Sequence, residues 1–538
     1  MSSSRLLPRV FLPLALIALA ALVLGLGITE PTGLTGKDEY LLGLRIPLEM
    51  MQGDHWWVPF IDGLPRLKKP PFLYWLGRAS YEMFGPSLLA ARGITVAFAL
   101  LLLGGTTWIG KFLGGHWRTG LIAAAVLLGM SGIASESRRL MLDVPVAALS
   151  LGAFCCYLGW LRQPRWSALL ACAATLSAAI LTKGPLALIV CGGGMLALWI
   201  VRPALRDTAL RHWPHHLLAL LLAAALPVFW FLYVRDHFGA ELARITQDEL
   251  EARQLSRFSL DPAIGILTLA LPWSFVAFQS LWVRRHDPDI RFLACWLALT
   301  LLPFFFIRTF ERYLIGSLPA LAILAAFALE RGNPPCWTRR LGSVIPALLA
   351  LILIVLLWRW QMGGWALLAI ALLWFIAVWW RNGPPAWGRL AASAAVLWAA
   401  GWGVAFPALG VNRIPATLLT RTHDHAVILF DGPQPALLPM LMQRPLRQTS
   451  RLDSLPPGER QPGTLISVRK EDLPHLSAQL DALRLHSKPV TEYQALTSAG
   501  SGIRFAREGA TSADWFQAWK LRSPQPLMSS IVLLELVP

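Results

Sequence analysis

Two carboxylates, Asp38 and Glu39, stand about ten residues beyond the end of the first long apolar run. A carboxylate there can accept a proton from a hydroxyl or phosphate nucleophile. It can equally cap a helix beginning near Tyr40, since Asp is favoured at N-caps, and spacing leaves both roles open. The same polar stretch closes with Lys68-Lys69-Pro70-Pro71-Phe72-Leu73-Tyr74-Trp75. A third carboxylate, Asp143 in Leu142-Asp143-Val144-Pro145, opens an apolar segment directly after Arg138 and Arg139. An ionisable group at a membrane edge is a site candidate. The alternative is a charge on the helix dipole or an ion pair with those arginines. Lys183, in Leu181-Thr182-Lys183-Gly184-Pro185, lies between two apolar runs with hardly any loop. It can snorkel to the surface, or it can hold a phosphate, as can Lys68, Lys69, Arg138, Arg253, Arg257, Arg308 and Arg312. Their number on one face beside carboxylates favours an anionic substrate with a proton-accepting partner. Tyr74 and Trp75 can stack on a sugar or anchor a helix at the interface, and anchoring is the preferred reading. His55, His237 and His423 are isolated and read as solvated or packed.

A bilayer must position these groups. The chain has 538 residues, 55% of them hydrophobic and only 15% charged. Globular domains carry about 25% charge. Apolar segments of roughly 18–22 residues recur, each long enough to cross a bilayer as a helix. We expect about thirteen spans, at about 9–28, 87–110, 119–135, 142–161, 166–181, 184–201, 215–235, 263–283, 292–307, 312–329, 341–358, 365–380 and 388–408. The 25 tryptophans gather near segment ends, as in an interfacial aromatic belt. The net charge of +17 is spread over loops rather than along one aromatic-interleaved stripe, so nucleic acid is not expected as a partner. The six cysteines show no metal or disulfide spacing.

The basic N-terminal run ahead of Leu26 reads as an uncleaved first span. Short segments on its side carry two or three Lys or Arg each and few acids, which reads as cytoplasmic. The opposite face holds mixed charges in two long loops, about 29–86 and 236–262. In the first, Leu41, Leu44, Leu48 and Met51 recur at helical spacing, interrupted by Pro47, as in an interfacial helix. The second is dense in charge and reads as a solvated helix. After about Val411 the chain turns polar, with strand-like runs at 426–430, 465–468 and 531–534 and a helical pattern through Leu473, Leu476, Leu480 and Leu483. The expected layout is therefore a transmembrane domain over 1–410 and a soluble α/β domain over 411–538.

In order, Asp38-Glu39, Gly53-Asp54-His55-Trp56, Pro59, Lys69-Pro70-Pro71, Tyr74-Trp75, Leu142-Asp143-Val144-Pro145, Leu181-Thr182-Lys183-Gly184-Pro185, Leu271-Pro272-Trp273 and Arg312-Tyr313-Leu314 resemble the polyprenyl-phosphate-dependent membrane glycosyltransferases of the GT-C fold. That family includes protein O-mannosyltransferase-like enzymes and the transferases that add aminoarabinose to lipid A. The resemblance covers roughly residues 1–330 by motif and the rest by layout. It implies inverting transfer of a sugar from a polyprenyl (undecaprenyl) phosphate donor at the periplasmic face of a bacterial inner membrane. The preferred acceptor is lipid A or another envelope glycan, with a protein side chain as the alternative. A lipid-linked-sugar flippase is the competing class.

On that resemblance Asp38 takes or polarises the acceptor proton, with Glu39 beside it, and Asp143 positions the acceptor. Lys69, Lys183, Arg257, Arg312 and Lys68 meet the departing phosphate. Tyr74, Trp75, Tyr313 and Gln254 line the substrate. Lys68 stands where the aminoarabinose transferases carry an acid near a bound metal, and Gln254 stands where they carry a His. The preferred picture is accordingly a metal-free, strongly cationic site without a cofactor, a divalent cation being the open alternative. The enzyme is expected to act as a monomer among membrane lipids.

Overall fold

Backbone polar groups cannot be left bare in hydrocarbon, so each apolar run closes its own hydrogen bonds as a helix. The computed structural model describes residues 7–32, 39–252, 258–307, 309–331, 334–383, 386–431, 437–497 and 506–538. Helix α1 (Leu7–Gly25) leads into the first loop. There a π-turn (Tyr40–Leu44) runs into α2 (Arg45–Gln52), a two-stranded hairpin β1 (Phe60–Ile61) and β2 (Leu64–Pro65) follows, and α3 (Phe72–Phe84) closes the loop. Pro47 is the third residue of α2, just past the π-turn.

Next come α4 (Leu88–Gly114), α5 (Trp117–Leu128), α6 (Ser131–Glu136), α7 (Asp143–Arg162), α8 (Trp166–Lys183), α9 (Pro185–Val201), α10 (Pro203–Arg211) and α11 (Trp213–Ala252). The membrane part is completed by α12 (Asp261–Leu269), α13 (Ser274–Val283), α14 (Pro288–Leu301), α15 (Leu318–Arg331), α16 (Cys336–Arg359), α17 (Trp365–Trp379) and α18 (Trp387–Ala400). Among the described residues eight helices are long and apolar enough to cross a membrane, or ten if each of two bent pairs is one span. The expected total of about thirteen is reached only if the three shorter apolar helices cross as well.

Three expected segments differ in detail. The 119–135 span is two helices, parted at Gly129–Met130. The 263–283 span is also two, α12 and α13, bent by 109° around Ala270–Trp273. The charged 236–262 stretch is helical as far as Ala252, as its charge density suggested, but it follows the apolar part of α11 with no loop between them, only a kink at Phe238. Sequence periodicity could not separate these cases, because apolar residues surround the breaks on every side.

Burial sorts the spans. The segment Glu311–Arg331 is 83% buried and α7 is 72% buried, whereas the apolar window of α11 is only 17% buried. A helix apolar all round belongs either in a protein core or against lipid. The first two are the core, and α11 lines the rim, with Leu217, Leu220, Leu221 and Phe229 exposed.

The C-terminal part holds α19 (Ala416–Thr422), α20 (Leu473–Ala482), α21 (Ser512–Leu521) and a five-stranded sheet. Its strands are β3 (Val427–Phe430), β4 (Arg447–Thr449), β5 (Leu465–Arg469), β6 (His486–Ala495) and β7 (Ser529–Val537), in the order β4-β3-β5-β7-β6. β3 is parallel to both neighbours, and β7 is antiparallel to β5 and β6. The apolar runs expected as strands became β3, β5 and β7. The polar edge strands β4 and β6 carry no such run.

This domain sits on the first loop. Leu437 and Met440 pack against Tyr40, Leu44, Leu48 and Tyr81. The Asp62 carboxylate at the hairpin tip pairs with Arg45 and lies 3.3 Å from Arg447 of β4. Arg447 also donates to the Asp62 carbonyl at 3.1 Å and pairs with Glu459 at 2.9 Å. Glu49 accepts the Asp62 N–H at 2.7 Å.

The π-turn is pinned from the other side. A Cβ on Gly43 would lie 1.9 Å from the Leu140 carbonyl oxygen. Gly43→Ala is expected to push the loop off Leu140 and cost about 1–3 kcal/mol, the usual penalty of overpacking. A lowered melting temperature in detergent checks this.

Candidate active site

Four of the candidate residues meet at one corner. Asp143 is the first residue of α7, and Lys183 is the last of α8. Gly184 ends α8 with φ +55°, a conformation open to glycine, and Pro185 starts α9 at once. The reversal leaves Lys183 at the mouth of the helix pair rather than buried along it. Arg312 and Tyr313 come from the 3₁₀ turn Glu311–Ser317 ahead of α15. Lys183 Nζ pairs with Asp143 Oδ1 and lies 3.6 Å over the Tyr313 ring. Arg312 Nε is 3.5 Å from Asp143 Oδ2. Lys69, from the first loop, is close enough to add its charge to the group.

Asp143 is 2% exposed, and its Oδ2 accepts no hydrogen bond among the described residues. The group thus sets two cations against one buried carboxylate, with the charge of Lys69 felt at Lys183. Its surplus of positive charge suits a bound phosphate, and the spare carboxylate oxygen suits a hydroxyl donor. Asp143 and Arg312 rest on the two most enclosed helical segments of the bundle.

Asp143 does not pair with Arg138 or Arg139, the partners that adjacency suggested. Arg139 is taken by Glu136. Arg138 turns inward to the carbonyl oxygens of Val23, Leu26 and Ala134, closing the C-terminal end of α1. Burial, with Arg92 nearby, lowers its pKa to about 10, so it stays charged.

Glu39 is fully buried. Its two oxygens face Arg92 Nε at 2.9 Å and Nη2 at 3.0 Å, and Oε1 also accepts the Leu140 N–H at 3.0 Å. Arg92 Nη1 goes on to the carbonyls of Ile28 and Glu30 at 2.7 and 2.8 Å. Glu39 is therefore a clamp that ties the first loop to α4 and to the approach of α7. Every acceptor it offers is engaged, and a proton-transfer role does not fit it. Nothing in the spacing separates it from Asp38; the signal available was Arg92, a lone charge inside an apolar run.

Tyr74 is 1% exposed and packs with Ile46, Met50 and Trp75. Burial pushes its phenol up to about 12 against the pull of Arg66. The ring packs α3 against α2. Trp75 meets Trp57 edge-on at 5.5 Å, and its Nε1 has no hydrogen-bond partner among the described residues. Lys68 is exposed, and its charge is felt at Glu241 of α11. Asp38, Gln254 and Arg257, together with Arg253 and Arg308, lie outside the described residues. Among the described residues no three His, Cys, Asp or Glu side chains come together to hold a metal ion. His55 stacks on Phe60 and His237 on Tyr233, and both remain exposed.

Known proteins share this framework. Residues 40–238 match the family of dolichyl-phosphate-mannose-protein mannosyltransferases. The crystal structure of ArnT from Cupriavidus metallidurans bound to undecaprenyl phosphate superposes with a TM-score of 0.68, covering 96% of this chain and 97% of that one at 18% identity. Its apo form gives 0.69. The chain therefore has the GT-C fold of the polyprenyl-phosphate-dependent membrane glycosyltransferases, as the motif order indicated, and it is a multi-pass membrane protein.

The undecaprenyl phosphate-alpha-4-amino-4-deoxy-L-arabinose arabinosyl transferase 1 of Sodalis glossinidius is 27% identical over 318 residues, 54% of this chain and 53% of the relative. The corresponding transferase of Pseudomonas savastanoi is 27% identical over 319 residues, 53% and 55% of the two chains. An uncharacterized protein of Aquifex aeolicus is 24% identical over 288 residues, 52% and 56%. The chain spans about half the length of the curated relatives it matches.

Proposed function

We propose that this protein is a glycosyltransferase that moves a sugar from a polyprenyl phosphate, undecaprenyl phosphate in bacteria, to lipid A or another cell-envelope glycan. The observation that carries the reading is the grouping of Lys183 and Arg312 around Asp143, with the charge of Lys69 felt at Lys183. The names of the Sodalis and Pseudomonas relatives and the ligand of the Cupriavidus structure point to the same donor.

The anomeric carbon leaves its phosphate through an oxocarbenium-like state while the acceptor oxygen attacks the opposite face. Charge builds on the departing phosphate, and Lys69, Lys183 and Arg312, with Arg257, meet it there. Asp38, covalently next to the clamped Glu39, takes or polarises the acceptor proton. Asp143 accepts a hydrogen bond from the acceptor through Oδ2 and holds Lys183 in place. Tyr313 supports the Lys183 ammonium from below. The orientation that fits is an inner-membrane enzyme with a cytoplasmic N-terminus, the site and the C-terminal domain facing the periplasm, working as a monomer.

Mass spectrometry of lipid A, glycans, glycoproteins and polyprenyl-phosphate sugars, in cells with and without the gene, tests the assignment. An accumulated polyprenyl-linked sugar names the donor, and the missing modification names the acceptor. A missing protein glycan would select the second reading, protein O-glycosylation, which the match to protein mannosyltransferases supports. Unchanged pools would sink both. In the purified protein, Asp38→Asn is expected to abolish turnover, by about 10²–10⁴-fold if it acts as general base. Full activity in a folded Asp38→Asn protein would remove Asp38 from the mechanism.

A further inference from the structure

The C-terminal domain carries one surface that water does not suit. On α21, Trp515, Phe516 and Trp519 share a face and are 37%, 68% and 43% exposed. The opposite attachment is firm. Ala518 is fully buried and joins the hydrophobic cluster of the membrane bundle together with Leu527. Thr511 and Asp514 form a capping box at the start of the helix, and Arg507 pairs with Asp514 at 2.9 Å. The aromatic face is therefore a fixed feature of a well-ended helix, not a frayed terminus.

Its location says what covers it. Trp360 stacks on Trp515 at 6.4 Å, and Arg359 donates to the Trp519 carbonyl at 2.8 Å with its guanidinium 5.0 Å over the Trp519 ring. Arg359 is the last residue of α16, a 24-residue span, and α17 starts at Trp365. The turn that ends the α16 span and leads into the shorter apolar helix α17 marks the edge of the hydrocarbon layer. Trp358 and Trp365 flank that turn, 58% and 39% exposed on the lipid-facing side of the bundle. Indole rings prefer this headgroup level. The face of α21 continues their surface, and Lys520 and Arg522 stand at its end, exposed and suited to lipid phosphates.

We infer that the Trp515–Phe516–Trp519 face of α21 lies in the headgroup layer of the bilayer, so that the C-terminal domain is held to the lipid surface itself as well as to the bundle. The inference is independent of the proposed reaction. It treats α21 as an interfacial helix whose partner is phospholipid.

The full-length protein in nanodiscs of phosphatidylethanolamine and phosphatidylglycerol, doped with a phospholipid bearing a photoactivatable diazirine high on its acyl chain, provides the test. Tryptic residues 508–520 hold all three aromatics, and residues 341–359 hold Trp358 as an internal reference. After illumination both peptides are expected to carry lipid adducts. Phe516→Ser is expected to remove most of the adducts from 508–520 and leave those on 341–359 unchanged. Unlabelled wild-type 508–520 beside a labelled 341–359 would overturn the inference. So would cross-links joining the 508–520 peptides of two copies, which would mean a second chain covers the face.

Discussion

Lys183→Ala is expected to reduce kcat by about 10²–10³-fold with a smaller change in KM, the loss that follows removal of one preorganised donor to a developing anion. Two effects add. The phosphate loses a cation at the position where its charge grows. Asp143 loses the ammonium bound to Oδ1 and keeps only Arg312, 3.5 Å from Oδ2. A buried carboxylate so exposed to Arg312 draws that guanidinium inward, away from the substrate. Lys183→Arg should recover only part of the rate, because a planar fork does not fit between a carboxylate and the Tyr313 ring as a compact ammonium does. The pair acts as a unit, so Asp143→Asn combined with Lys183→Ala should cost clearly less than the product of the single losses. Steady-state kinetics in nanodiscs with a defined polyprenyl-linked donor reads all three. Near-normal turnover in a folded Lys183→Ala protein would remove this lysine from phosphate stabilisation.

The largest loss of stability is expected from Glu39→Ala. Removing one member of a buried ion pair typically costs about 3–5 kcal/mol, because the remaining charge is left uncompensated in a low dielectric. Here the orphan is Arg92, 3% exposed and held from its other side by two carbonyls. The Leu140 N–H loses its acceptor as well. Unfolding in detergent is irreversible for many membrane proteins, so the readout is a faster thermal inactivation together with a lower apparent melting temperature. Glu39→Gln keeps an acceptor for Leu140 but not the charge, and should fall between. If Glu39 worked as a base instead, Glu39→Gln would abolish turnover without moving the melting temperature.

The span pattern was legible because twenty apolar residues in a row admit few other fates. Asp143 and Lys183 were legible as candidates for the same reason: charges at the ends of such runs call for a partner. Their mutual pairing was not. Forty positions separate them, and the antiparallel packing of α7 and α8 across the short connection at 163–165 brings the end of α8 to the start of α7. Adjacency pointed to Arg138 and Arg139 instead, since a sequence shows neighbours along the chain and hides those across it. Glu39 and Asp38 looked alike because both are acids in one short run. The distinguishing partner, Arg92, lies 53 residues away. The breaks inside α12–α13 and α5–α6 left no mark because hydropathy measures what a segment is made of and not whether it is straight. The edge strands β4 and β6 and the helix α21 were missed because their side chains alternate between sheet, solvent and membrane rather than facing one core.

The contact at Asp62 joins two parts of the molecule with different neighbours. Arg447 belongs to the sheet, while Asp62 tips the hairpin that runs directly into Lys69. By thermodynamic reciprocity, any factor by which the seated domain tightens donor binding is the factor by which bound donor tightens the seating. A protease that cuts only the lifted domain would accordingly report on the occupancy of a pocket it never touches.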